Sequence, residues 1–274
     1  MTFFRTISGT TLRAITGCAA IFVLTGAKKL PEPSCPQVGE YAVVVSTVEV
    51  DGSFAAGREH IRLGGVIDVS KPALEGLLAR APVTTAAGVP DRYGRSVAQV
   101  FAGGTWIQEA LVRAGEARVA PDGVSAPCAV RLLAAEERAR SSKIGGWGGG
   151  SFRVWSEGAL RGQMRAHAGT FQIFEGRVLD SAVVKGRGYL NFGSDRKIDT
   201  TVTIAPADMK AFRKARLDVR KLKGAHVRVR GWLEIYNGPN IVLARPEAIE
   251  ILEPSPEIQT ARKNRAAASK QKKK

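Results

Sequence analysis

The sequence predicts a mainly β, α+β chain in which short strands and short helices build two β-rich parts. Three observations predict this. Runs rich in valine and other β-formers recur between Tyr41 and Phe101 and again between Thr170 and Leu243. Two stretches, 105–115 and 129–141, place apolar residues at helical spacing. Between the two β-rich regions lies the glycine-dense run Ile144-Gly-Gly-Trp-Gly-Gly-Gly150, which reads as the start of a linker reaching Ala168.

The first residues have a logic of their own. Arg5 and Arg13 precede an apolar stretch from Ala14 to Leu24, and Thr25, Gly26 and Ala27 supply small residues before Lys28. This is a signal-peptide pattern over 1–27, and its apolar run falls short of the ~20 residues a spanning helix needs. An exported protein, periplasmic or secreted, is expected. Ile15-Thr16-Gly17-Cys18 has the outline of a lipoprotein box but almost no apolar segment ahead of it. Cleavage after Ala27 removes Cys18 and leaves Cys35 and Cys128, which either pair in an oxidising compartment or remain buried thiols.

From Tyr41 to Val50 the chain reads as a strand, Asp51-Gly52 as a turn, and Arg58 to Leu63 as the next strand. Ser70 and Pro72 open a short helix running to about Arg80. A strand at Val83 to Ala87, a turn over 90–95 and a strand from Ser96 to Phe101 follow. Thr105 with Gln108 three residues on predicts a capping box, and Gly115 stops that helix. The second helix spans Ala129 to Ser141. Behind the linker, strands are expected at Thr170–Leu179, Gly188–Phe192, Thr200–Ile204, Gly224–Ile235 and Asn240–Leu243, with a helix at Ala207–Ala215. Five short strands and one interposed helix fit a small OB-like β-barrel over 169–253.

Lys+Arg 41 against Asp+Glu 25 gives a formal charge of +16 and a pI near 10.2, so nucleic acid and other polyanions are the natural partners. Residues 254–274 read as a disordered basic tail whose Lys270, Lys272, Lys273 and Lys274 could also touch an anionic membrane surface. With no CxxC and only His60, His167 and His226, a zinc site has no support. Tyr189, Phe192, Trp232 and Tyr236 are candidates for base stacking in the rear part.

One segment carries a family likeness. Asp91-Arg-Tyr-Gly-Arg-Ser-Val-Ala-Gln-Val100, Gly104, and Trp106 through Ala-Leu-Val-Arg-Ala-Gly-Glu-Ala-Arg-Val119 resemble the centre of staphylococcal nuclease-like (thermonuclease-family) proteins. The likeness implies a nuclease-type OB-like β-barrel with packed helices over 38–148. It also implies phosphodiester chemistry using a calcium-type ion, a glutamate base and two phosphate-gripping arginines, which correspond here to Arg62 and Arg95. Arg92 and Tyr93 join them as nucleic-acid contacts. The carboxylates depart from that pattern: Val50-Asp51-Gly52-Ser53 offers serine where a ligand would fall, and Arg62-Leu-Gly-Gly-Val-Ile-Asp-Val-Ser70 brings Asp68 one residue late. In extended backbone a one-residue shift turns a side chain to the other face. The general-base position falls near Ser70 or Lys71. Asp51 and Asp68 could still assemble a rearranged metal site. The expectation is an exported polyanion-binding protein with a degenerate catalytic site; the alternatives are a phosphodiesterase with a rearranged carboxylate set and an envelope scaffold binding protein partners.

Overall fold

A computed structural model describes residue 35 and residues 39–86, 88–195 and 197–260. The expected signal peptide and the part of the expected 254–274 tail beyond 260 lie outside the described residues, whereas the start of that tail is ordered, with Ser255 buried and Ile258 packed against the rear core. The fold is mixed α+β. In the front half, β1 (Tyr41–Val43), β2 (Val45–Val48), β3 (Ser53–Ala56), β4 (Glu59–Leu63) and β5 (Val66–Ile67) lead into α1 (Lys71–Leu78). Then come β6 (Val83–Thr85), β7 (Val89–Pro90), β8 (Ser96–Ala98), β9 (Val100–Ala102), β10 (Thr105–Trp106), α2 (Ile107–Arg113), β11 (Arg118–Val119) and α3 (Ala126–Ser141). The strands form sheets in the orders β2-β3-β4-β8-β7 and β1-β6-β9-β10, with β11 paired to β5. Alternation along β4 turns Ile61 and Leu63 into a core with Phe54, Leu74, Ile107, Leu111 and Leu132, and leaves Arg62 on the opposite face.

Helix α2 shows where local pattern reading fails. Thr105 belongs to β10, Trp106 occupies the N-cap, and no capping box forms. Gln108 is instead fully buried: its Nε2 donates to the Ala98 carbonyl at 2.8 Å and its Oε1 accepts from the Val100 amide at 3.1 Å. A side chain that satisfies two buried backbone groups of neighbouring strands is not available to cap its own helix. Helix α3 starts three residues earlier than its apolar spacing indicates. Its N-cap is Ser125, whose hydroxyl accepts from the Cys128 amide at 3.5 Å.

The glycine run is not a free linker. A Cβ on Gly115 would lie 2.2 Å from the Ile144 carbonyl oxygen, and one on Gly145 would lie 2.4 Å from that of Ala114. Both glycines also have positive φ. Glycine is required there because two backbones touch, and the Gly146 amide donates to the Gly115 carbonyl at 2.9 Å. The run folds into the short turn α4 (Gly146–Gly149). Residues beyond it, within 149–168, form β12 (Val154–Trp155) and α5 (Glu157–His167), which buries Leu160.

The rear half continues with β13 (Phe171–Arg177), β14 (Asp180–Val184), β15 (Arg187–Asn191), β16 (Thr201–Ile204), α6 (Met209–Lys214), β17 (His226–Ile235), β18 (Pro239–Leu243) and β19 (Ile249–Glu253). These build one sheet in the order β12-β13-β17-β18-β16-β15-β14, with β19 also on β17. Neither half closes into a barrel by hydrogen-bonded pairing among the described residues, and the several-sheeted α+β arrangement is consistent with the OB-like fold expected of the front half. In the rear sheet the reason is a corner between β13 and β14. There the Val178 amide donates to Ala225, on the β17 side, while the next amide, Leu179, donates to Asn191, at the end of β15. The two ends of the ladder are thus joined by the chain itself around a core of Phe174, Leu190, Val202, Phe212, Leu233 and Ile241.

A small third core, built from Ala120, Phe171 and Ile173 with Ile67, Trp147 and Val154 against it, mixes residues of both halves. Beside it, Arg230 on β17 is 1% exposed and Glu136 on α3 is 2% exposed. The Arg230 guanidinium donates to Glu136 Oε2 at 2.6 Å, to the Val119 carbonyl at 3.3 Å and to Glu250. Burial alone would lower its pKa, but the two glutamates outweigh this and raise it, so the charge is kept. Arg228 repeats the tie nearer the surface, to Glu137 at 3.0 Å and Glu175 at 2.8 Å.

Candidate anion-binding cleft

A cleft of about 530 Å³ opens where the Asp51-Gly52 turn, β4, β5 and the 91–95 turn meet Trp232 of β17. Arg62, Arg92, Tyr93 and Arg95 all border it. The 91–95 turn is built by Asp91, whose Oδ1 accepts from the Tyr93 and Arg95 amides at 2.9 and 3.0 Å, while Gly94 supplies the positive φ that closes it. Asp91 Oδ2 then takes the Arg95 Nε–H at 2.9 Å. From the other side Arg95 Nη1 donates to Asp51 Oδ2 at 2.6 Å. Asp51 Oδ1 meanwhile accepts from the Ser53 amide at 3.0 Å and the Ser53 hydroxyl at 2.6 Å.

These contacts set the titration of both acids. Burial pushes the Asp51 carboxyl up, but the Ser53 hydrogen bonds and the Arg95 charge overcome it and hold it below its ordinary value. For Asp91 burial likewise pushes the carboxyl up, but the Arg95 and Tyr93 amides and the Arg95 side chain together hold it below its ordinary value. Arg95 is therefore clamped between two carboxylates. Arg62 and Arg92 make no ion pair among the described residues, and Arg92 lies 4.8 Å from the Tyr93 ring centroid. Three arginines against two aspartates leave the cleft net positive.

Asp68 is elsewhere. It sits at φ 53°, and its carboxylate accepts two hydrogen bonds from Arg118, one of them from Nε at 2.7 Å. The two residues border a separate cavity of about 460 Å³ with Phe152 and Gln172. Its chain neighbours Ile67 and Val69 face the arginine cleft instead. The expected pairing of Asp51 with Asp68 as metal ligands does not form: the left-handed turn at Asp68, just past the end of β5, carries its carboxylate to Arg118, and the side chains of Ile67 and Val69 border the cleft. Ser70, near the general-base position, is the N-cap residue of α1.

A hard cation of the calcium type needs several oxygen ligands, carboxylates among them. The carboxylates bordering the cleft are already engaged by Arg95, and no group of three His, Cys, Asp or Glu able to hold a metal occurs among the described residues. This donor set does not fit such an ion. Cys35 and Cys128 form a disulfide (Cα–Cα 4.8 Å) that fastens the N-terminal arm to the first turn of α3.

The stacking candidates separate in the same way. Phe192 is buried edge-on against Phe174 at 4.7 Å and belongs to the core, whereas Trp232 and Tyr236 are exposed. That Trp232 reaches a cleft of the front half, and that Ile67 and Val69 line it, was not legible from spacing, because both facts depend on how the halves pack.

Residues 67–149 match the family model described as staphylococcal nuclease homologue, a stretch that includes Asp91, Arg92, Tyr93 and Arg95 and ends before the rear sheet. No curated protein matches the chain.

Proposed function

For a chain whose residues 67–149 match the staphylococcal nuclease homologue model, we propose a protein that binds nucleic acid, or another phosphate-bearing polyanion, in the arginine cleft without metal-dependent hydrolysis there. The observation that carries this reading is the convergence of Arg62, Arg92, Arg95 and Tyr93 on one cleft whose carboxylates serve Arg95 rather than a cation. Guanidinium groups meet phosphate oxygens two at a time, and Arg62 has no carboxylate partner among the described residues. The charge of +16 adds long-range, salt-sensitive attraction.

The rear sheet is read here as OB-like, on the strength of β16 running parallel to β18 while β15, β17 and β13 complete the path. Export belongs to the same reading, supported by the leader pattern and by a disulfide that suits an oxidising compartment.

The test is a combined cleavage and binding assay on residues 28–274 with single- and double-stranded DNA and RNA, with and without calcium. The expected result is binding that weakens steeply with salt, loses about ten-fold in Arg62→Ala, and is accompanied by no turnover. Chelator-sensitive cleavage that disappears in Arg95→Ala would establish a working nuclease instead.

A further inference from the structure

One cross-strand row of the rear sheet links the arginine cleft to a second cavity, exposed at its Trp232 end and buried at Thr203. Pairing register places Trp232 opposite Val242, Val242 opposite Thr203, and Thr203 opposite Tyr189. Directly paired residues share a face, so these four side chains form one row across β17, β18, β16 and β15. The alternate row, Leu233, Ile241, Val202 and Leu190, is buried in the core, which fixes the first row as the outward one. Three strand spacings of about 4.8 Å make the row about 14 Å long.

At its near end Trp232, 49% exposed, borders the arginine cleft. At its far end Tyr189 borders a cavity of about 250 Å³ that is roofed by Tyr236, 74% exposed, and lined by Asn191, Asn240 and Thr203. No residue lining this cavity carries a formal charge, although the chain carries +16. Aromatic rings with amide and hydroxyl groups suit the flat faces and polar edges of unpaired bases, and the cavity offers no cation to a phosphate. Two of the lining residues, Thr203 and Asn240, also hold buried side-chain oxygens without a hydrogen-bond partner, a debt usually met by water or ligand.

We infer that the rear sheet extends the cleft into a track for single-stranded nucleic acid: the arginines hold phosphate, Trp232 stacks the first base outside the cleft, and Tyr189 with Tyr236 takes bases farther along. This rests on the polyanion reading of the arginine cleft and goes beyond it by naming the ligand form and residues outside the nuclease-like segment. A duplex, with its bases stacked and paired, has no use for this face.

The experiment measures binding of a fluorescent 12-mer oligothymidylate, a 12-base-pair duplex and heparin to the full mature chain and to Trp232→Ala, Tyr236→Ala and Arg62→Ala. Both aromatic residues are exposed, and unchanged melting temperatures check that the variants fold. The wild-type protein is expected to favour the single strand over the duplex. Trp232→Ala and Tyr236→Ala should each weaken oligothymidylate about 5- to 100-fold and leave heparin unchanged. Arg62→Ala should weaken both ligands. Oligothymidylate, but not heparin, should quench tryptophan emission, and the quenching should vanish in Trp232→Ala. Several results overturn the track while the cleft reading stands, provided Arg62→Ala still weakens binding: equal effects on oligothymidylate and heparin, no effect in either aromatic variant, loss in only one of them, or a duplex bound as tightly as the single strand. If Arg62→Ala weakens neither ligand, or the wild-type protein binds neither, the cleft reading falls and the track with it.

Discussion

At Asp51 a carboxylate bordering the cleft restrains an arginine. Replacing it by asparagine keeps an acceptor for the Ser53 hydrogen bonds and removes one negative charge beside Arg95. Asp51→Asn is therefore expected to tighten oligonucleotide binding about 5-fold at low salt, a charge effect of about 1 kcal/mol; a weaker complex would show that Asp51 helps to hold the ligand. The acids also set a pH dependence. Asp51 and Asp91 have folded pKa values below their unfolded ones, so their contribution to stability is complete above the ordinary carboxylate value and is lost as pH falls through the lowered ones. Urea melts should show stability dropping below about pH 4, and less steeply in Asp51→Asn. The 91–95 turn was legible beforehand, because Asp-Arg-Tyr-Gly-Arg ties its residues to one another, while Arg62 and Arg95 were singled out by the family resemblance. Asp68 was legible only as a displaced residue; its partner Arg118 lies 50 positions away, and no local pattern announces a contact of that range.

Among elements, the ties between helix and strand decide stability. Gln108 joins α2 to two strands, and Gln108→Ala would strand the Ala98 carbonyl and the Val100 amide in the core. A loss of about 2 kcal/mol or more is expected in denaturant unfolding. Arg230→Met should cost more, about 3–5 kcal/mol, since it leaves the buried Glu136 side chain without its counter-ion; adding Glu136→Gln should recover part of that by removing the orphaned carboxyl group. If the double variant is no more stable than Arg230→Met, the orphaned carboxyl group is not the source of the loss. Strands and helices with regular alternation were readable from sequence. The capping box at Thr105 and the reading of the 144–150 glycine run as the start of a linker miss for one cause: Gln108 and the pair Gly115 and Gly145 answer to backbone outside their own segments, which overrides local propensity.

Across the whole molecule the Cys35–Cys128 bond spans 93 residues, so reducing it should lower stability by about 4–5 kcal/mol in the chain-entropy model, measurable as a fall in Tm with reductant or in Cys35→Ser. The buried Arg230–Glu136 pair and the core shared by Ile67, Ala120, Phe171 and Ile173 carry a different message for anyone who wishes to transplant the cleft. A fragment ending at Gly150 would keep the glutamate, lose its counter-ion, and bare a fresh oily surface of the kind that draws chains together. The family segment is accordingly not a portable module in this protein, and grafting it elsewhere requires either taking the rear sheet along or rewriting position 136 first.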